Sequence, residues 1–204
     1  SGTGSATISS LTTLDNITWT LTLSATSNGT IVASLPANTV TELVGANLNL
    51  AAVAIDNSVL YDTLAPATLG APDLTTATDS GSSSSDNITN STTQTFIGSC
   101  VDGDTIEFIV DASPIAPTQI CSGGAYSFSI NQPEGNYDVG VRAYDPAGNV
   151  SADSSTLNFT VDFTAPACIA DFSNPTFDLS PELGGTTSSA SDTVSLDIDG
   201  NTYS

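Results

Sequence analysis

Apolar and polar residues alternate over short stretches along most of the chain. In residues 17–23, ITWTLTL, the apolar positions Ile17, Trp19, Leu21 and Leu23 fall on one face and three threonines fall on the other. The same two-residue period recurs at 105–110, 125–130, 137–144, 156–161 and 192–198. This period, together with many Thr, Val and aromatic residues, predicts β-strands. No long stretch keeps a 3.6-residue apolar period, so the pattern predicts an all-β chain.

A repeated hinge sequence divides the predicted strands into modules. DTLAPA occupies residues 62–67 and DFTAPA occupies residues 162–167, each directly after a predicted strand. The spacing of 100 residues is about the size of one immunoglobulin-like sandwich, and proline stiffens each hinge. We therefore predict tandem immunoglobulin-like β-sandwiches with acidic, proline-containing junctions.

These hinges set the predicted domain boundaries. Residues 66–164 make one complete module, and residues 1–65 correspond to the C-terminal strands of a preceding one. Residues 165–204 are the start of a further β module or a tail that donates a strand. An incomplete sandwich exposes a sheet edge and an open core, so either the chain is cut from a longer protein or another chain supplies the missing strand.

The charge of the chain restricts its partners. There are 22 acidic residues and a single basic one, Arg142, which gives a net charge of −21 with no histidine. This charge argues against binding to nucleic acids and to anionic membrane surfaces, and no apolar stretch is long enough for membrane insertion. Divalent cations would reduce the repulsion between the carboxylates.

The middle of the chain resembles the bacterial immunoglobulin-like repeats of giant secreted surface adhesins of the RTX type. The resemblance is carried by residues 71–100, by CSGGAYSFSI at 121–130 and by VRAYDPAGNVSADSSTLNFTVDFTAPA at 141–167. GTIVASLPANTVTELVGANLN at 29–49 and NSVLYDTLAPA at 57–67 look like the second half of a related repeat. The resemblance implies an extracellular or cell-surface stalk of many modules, with neighbouring modules as partners and calcium at their junctions.

The loop DSGSSSSDN at residues 79–87 allows three interpretations. Asp-Ser-Gly-Ser is also found in half of an aspartic-protease site, but the second copy that such a site needs is absent. A serine-rich run is typical of a flexible linker, which leaves the flanking aspartates unexplained. Small residues between two aspartates also suit a loop that wraps a calcium ion, which takes six to eight oxygen ligands.

We favour calcium at one or more junctions. The expected ligands are Asp62, Asp73, Asp79, Asp86, Asp145 and Asp162. The spacing does not decide which hinge the loop DPAGN at residues 145–149 faces. VDGDT at 101–105 and LDIDGN at 196–201 are interpreted as hairpin turns, because neither has the glycine and glutamate positions of a calcium loop.

Three cysteines are present. A bond between Cys100 and Cys121 would tie two predicted strands together, and an extracellular location favours it. A zinc or catalytic thiol lacks the histidine partners that it would need. Cys168 would then be left to pair with a cysteine outside this chain or in another copy.

Six asparagines match the N-glycosylation acceptor pattern, which arises readily by chance in a chain rich in Ser and Thr. They are Asn16, Asn28, Asn87, Asn90, Asn149 and Asn158. They matter only if the source organism glycosylates extracellular proteins.

Two functions remain in competition, and an enzyme is not expected because the usual general base is missing. The first is a calcium-stiffened stalk segment of a large extracellular adhesin or fibre. The second is a self-assembling filament subunit, a homopolymer in which residues 192–198 complete the open sandwich of the next copy by strand exchange.

Overall fold

The computed structural model describes residues 2–42, 44–53, 56–171, 184–190, 192–198 and 200–203. All regular structure in this part of the chain is β, which confirms the all-β prediction. The strands are β1 (Ser5–Thr13), β2 (Trp19–Ser27), β3 (Gly29–Val32), β4 (Ser58–Tyr61), β5 (Asp73–Leu74), β6 (Ile88–Thr89), β7 (Gln94–Ser99), β8 (Thr105–Val110), β9 (Ser113–Ile120), β10 (Ala125–Ile130), β11 (Gly135–Tyr144), β12 (Leu157–Val161), β13 (Cys168–Asp171), β14 (Gly184–Thr187), β15 (Leu196–Ile198) and β16 (Asn201–Tyr203).

Strands β5 to β12 form a two-layer sandwich. One sheet has the order β10-β7-β5, and the facing sheet has the order β6-β12-β11-β8-β9. The pairings are antiparallel except for the short β6, which runs parallel to β12. The chain therefore crosses from one sheet to the other five times, at β5–β6, β6–β7, β7–β8, β9–β10 and β10–β11.

The alternating residues of the two sheets interlock in one core. Phe96 of β7 packs against Phe108 of β8 and Phe159 of β12, with ring centroids 5.3 and 5.0 Å away, and all three rings are fully buried. Fully burying one such side chain contributes about 1.5–3 kcal/mol. Every buried apolar residue of the described chain lies between Pro72 and Val161, so the sandwich has its own core.

The segment before the first hinge has strands without such a core. β1 and β2 pair as a hairpin in which Ile8 lies opposite Leu23, and Leu11 opposite Leu21. The opposite face of this hairpin carries Ser and Thr. On the apolar face, Ile8 is 69% exposed and Leu11 is 58% exposed, and Trp19 is exposed beside them. The sequence pattern therefore gives an amphipathic hairpin whose apolar side is left uncovered.

The last two strands before each hinge have the same register. Gly29 opens β3 opposite Tyr61, the residue before Asp62. In the sandwich, Gly135 opens β11 opposite Val161, the residue before the second hinge. Both glycines have positive φ, +129° and +153°, which other residues rarely adopt. The 100-residue sequence repeat is therefore matched by a repeat of local structure.

Beyond the second hinge, the described residues form two small hairpins, β13–β14 and β15–β16. The Asp197 carboxylate accepts a hydrogen bond from the Gly200 amide at 3.0 Å, as expected for the predicted turn at 196–201. Asp199 of this turn lies outside the described residues. Within the described ranges, no helix is long and apolar enough to cross a membrane.

Candidate functional site

Many acidic residues of the sandwich lie in the turns and loops at its two ends. We name the proximal end by the turns 100–104, 121–124 and 145–149, which lie beside the first hinge. We name the distal end by the loops 79–87 and 131–134, which lie beside the second hinge. The Asp162 amide donates to the Thr89 carbonyl at 2.9 Å, and this contact joins the second hinge to the distal end.

Both hinges begin with the same local structure. Asp62 accepts a hydrogen bond from the Leu64 amide at its Oδ1, at 2.9 Å. Asp162 does the same with the Thr164 amide, also at 2.9 Å. These Asx turns direct the chain into the Ala-Pro step. Asp62 and Asp162 thus have equivalent places, as the repeat predicts.

The loop at 145–149 contacts the first hinge. Asn149 donates to the Asp62 carbonyl through Nδ2 at 3.2 Å, and the same Nδ2 donates to Asp145 at 2.8 Å. The backbone amide of Asn149 also donates to the Asp145 carboxylate. The hydrogen bonds from Asn149 lower the pKa of Asp145. The question that spacing left open is therefore answered: this loop lies beside Asp62, and Asn149 joins them.

The turn at 101–104 differs from its sequence interpretation. It is not a hairpin turn, because β7 and β8 belong to different sheets. Asp104 is 6% exposed, and the structure gives its carboxylate no hydrogen bond. Burial first, and then the charge of Asp145, raise the pKa of Asp104. Sequence reasoning missed Asp104 because the burial of a turn residue depends on where the strands cross between the sheets.

At the distal end the 79–87 loop is closed around a buried carboxylate. Asp79 is 2% exposed, its Oδ1 has no hydrogen-bond partner, and its Oδ2 accepts a long bond of 3.3 Å from the Asn87 amide. Ser80 and Thr89 bond to each other across the loop at 2.9 Å. A buried carboxylate oxygen without a partner is costly, which is a reason to look for a cation there.

The remaining predicted ligands are more exposed. Asp86 accepts the Ile88 amide at 3.2 Å on the outside of the loop, and Asp73 lies in β5 opposite Ile97. Across the described ranges, no three or more acidic or cysteine side chains come close enough together to hold a metal ion. The six predicted aspartates are therefore split between the two ends, and any cation there would need carbonyl, hydroxyl or water oxygens as well.

The disulfide lies at the proximal end. Cys100 and Cys121 are bonded, as the sequence predicted, and Cys121 is buried. The bond joins the 101–104 turn to the 121–124 turn, where the Gly124 amide also donates to Asp102 at 2.6 Å. Cys168, in β13, is a free and exposed thiol.

The comparison with protein families agrees with the observed architecture. The model of the bacterial Ig-like domain matches residues 66–163. Residues 66–163, slightly less than half of the chain, are therefore similar to the bacterial Ig-like domain. No curated protein matches the chain. The Ig-like domain thus coincides with the part of the chain that has a core of its own, and the fold is an Ig-like β-sandwich.

The match to this family suggests a coarse function. Bacterial Ig-like domains are structural modules, typical of surface proteins. The disulfide agrees with an oxidising, extracellular environment.

Three of the six sequon asparagines already donate hydrogen bonds through Nδ2. Asn149 bonds to the first hinge, Asn28 donates to the Asp62 carboxylate at 3.1 Å, and Asn158 donates to the Asp138 carboxylate at 3.1 Å. A glycan on any of these nitrogens would replace these contacts. The other three sequons, at Asn16, Asn87 and Asn90, lie outside the strands.

Proposed function

We propose that this chain is a stalk segment of a large extracellular adhesin, stiffened by calcium at its hinges. The observation that carries the proposal is the placement of the hinges. The Ig-like domain lies between two Asp-x-x-Ala-Pro hinges with the same Asx turn, and acidic loops border both. A module that repeats hinge and domain in this way suits a linear array.

The charge balance supports a cation as the stiffening agent. The single basic residue, Arg142, is engaged with Glu107 at 2.6 Å and with Asp153 at 3.6 Å, both within the sandwich. No basic side chain is left for the hinges, where the acidic loops repel one another. A divalent ion at a hinge offsets this repulsion and links two modules through shared ligands.

The expected affinity is modest. At most two carboxylates come close enough together to share one ion among the described residues, so the other ligands of a calcium ion would be neutral oxygens. Such extracellular sites bind calcium with a Kd of about 10⁻⁴–10⁻³ M. This range suits a stalk that is loose at the low calcium of the cell interior and stiff outside.

The test combines calorimetry with solution scattering. Calcium titrated into the parent chain should release or absorb heat. X-ray scattering should show that the chain samples a narrower range of overall dimensions when calcium is bound. Asp79→Asn and Asp86→Ala should weaken the binding. Asp153→Asn, which removes a charge from an exposed side chain within the sandwich, is the matched control. A parent chain with no heat and unchanged scattering would end the calcium proposal.

A filament subunit is the second candidate, and the uncovered apolar face of the β1–β2 hairpin favours it. Val194, Leu196 and Ile198 are also exposed and alternate along residues 194–198, although only Leu196–Ile198 of the strand predicted at 192–198 forms β15. Insertion of this strand beside the hairpin of the next copy would cover both. Negative-stain images of the isolated chain separate the two functions, because long polymers favour the filament and monomers the stalk.

A further inference from the structure

Asn28 ties the first hinge to the bend that precedes β3. Its side chain is exposed in the bend between β2 and β3. Its Nδ2 donates to the Asp62 carboxylate at 3.1 Å, and its Oδ1 accepts the Thr63 hydroxyl at 2.9 Å. The same Asp62 oxygen accepts the Leu64 amide at 2.9 Å, so Asn28 supports the Asx turn that opens the hinge. We call these three hydrogen bonds the hinge clasp.

The residue after Asn28 has to be glycine. Gly29 has a φ of +129°, which other residues rarely adopt. The place of a Cβ is also filled, because it would lie 2.6 Å from the Gly4 nitrogen and 2.7 Å from the Thr3 hydroxyl. The fold therefore sets an asparagine that holds the hinge directly before a glycine that the backbone requires. No other asparagine of the sequence is followed by glycine.

An asparagine followed by glycine is open to attack by the next backbone nitrogen, because no side chain hinders the approach. The Thr63 hydroxyl stabilises the negative charge that develops on Asn28 Oδ1 during this attack. A bond forms between the Gly29 nitrogen and the Asn28 Cγ, the Cγ–Nδ2 bond breaks, and Nδ2 leaves as ammonia with the proton of the Gly29 amide. Water then opens the resulting succinimide ring at either carbonyl, which leaves an aspartate or an isoaspartate at position 28.

We propose that Asn28 is a deamidation site and that its conversion opens the hinge clasp. The product carries a carboxylate, which has no N–H to donate to Asp62 and repels it. Water in the exposed bend is the only co-reactant. Neither calcium nor the stalk function is needed for this step, so the first hinge loosens with age in either case.

The second hinge already has an acid at the corresponding position. Glu134 precedes Gly135, the glycine that opens β11, just as Asn28 precedes the glycine that opens β3. The Glu134 carboxylate accepts the Thr164 hydroxyl at 2.6 Å, but it has no N–H to offer Asp162. Deamidation would therefore change the first hinge from a type with an amide donor to the type that the second hinge has.

The experiment is incubation of the full chain in mildly alkaline buffer with a chelator, followed by mass spectrometry of its peptides. Asn28 should gain the mass of an amide-to-acid conversion several times faster than the other asparagines. Isoaspartate should be among the products, and the rate should rise with pH because the Gly29 nitrogen has to lose its proton. An Asn28 that stays intact while other asparagines convert would overturn the deamidation site.

The effect on the hinge is read from hydrogen exchange at the Leu64 amide. In the aged chain and in Asn28→Asp, this exchange should be roughly two- to tenfold faster, which is the effect of losing one hydrogen bond from the closed state. Asn90→Asp is the matched control, because it adds the same charge at the distal end and its oxygen can still accept the Ser80 hydroxyl. It should leave exchange at Leu64 unchanged. Unchanged exchange in both the aged chain and Asn28→Asp would overturn the opening of the hinge clasp.

Discussion

Removal of the disulfide should destabilise the Ig-like domain by an amount that can be predicted from the length of the loop that the bond closes. Cys100 and Cys121 are 21 residues apart. Closing a loop of this length in the unfolded chain corresponds to about 3.3 kcal/mol at 25 °C in the chain-entropy model. For a domain of this size, that loss lowers Tm by about 13–26 °C. Since domains are stable by only about 5–15 kcal/mol, a large part of the stability is at stake.

The assay is urea unfolding of the full chain, with hydrogen exchange of β8 and β11 to report on the Ig-like domain alone. Two samples distinguish the causes of the loss. The parent chain with a reduced disulfide loses only the covalent constraint, whereas Cys100→Ala with Cys121→Ala also loses two sulfur atoms from the packing. Both should be less stable by about 3 kcal/mol, the alanine pair slightly more. A loss below about 1 kcal/mol in both would refute the reasoning, because the unfolded chain would then not be constrained by the bond.

Four further predictions concern single residues. Gly98→Ala should lower the free energy of unfolding in urea by about 1–3 kcal/mol, because the added Cβ overlaps the Tyr126 side chain across the strand pair. Tyr126→Phe removes a buried hydroxyl that has no hydrogen-bond partner, so the free energy of unfolding should stay the same or rise. Arg142→Gln should cost about 1–2 kcal/mol, because Glu107 loses its ion pair in a partly buried place, and wild-type stability would contradict this. Hydrogen bonds from the Thr18 and Ile17 amides lower the pKa of Asp15 to about 2. The ionised Asp15 therefore stabilises the β1–β2 turn fully above about pH 4, and this stabilisation is lost as the pH falls through about 2. An NMR titration of Asp15 with an ordinary midpoint would refute that assignment.

Local pattern predicted the elements of this fold well. The strands predicted at 105–110 and 125–130 have those bounds in the structure, because alternation and β-branched residues depend on neighbours in sequence. The Cys100–Cys121 bond was also predictable, since both residues flank predicted strands. The equivalence of the hinges followed from a repeated sequence, which a repeated local structure matches.

The candidate site was predictable only in part. Asp145 was expected to be a ligand near a hinge, but its link through Asn149 to Asp62 depends on how the loop folds back. Asp104 was missed because its burial depends on the register between β8 and β11, and strand spacing does not give a register. Asp79 was predicted from its loop, but not its burial, which follows from the closure of that loop by Thr89.

The short parallel pairing of β6 with β12 has a mechanical consequence. Tension along an array would pull the domain in opposite directions through β5, which follows the first hinge, and through β12, which precedes the second. Once β5 separates from β7, β6 and β12 would be drawn past each other along their length. The bonds from Thr160 to the Asn87 carbonyl and from Asp162 to the Thr89 carbonyl then carry the load side by side. Bonds loaded in shear must break together, whereas a hairpin pulled at its open end unzips one bond at a time. This arrangement suits the stalk proposed above, in which each module would bear tension along the array.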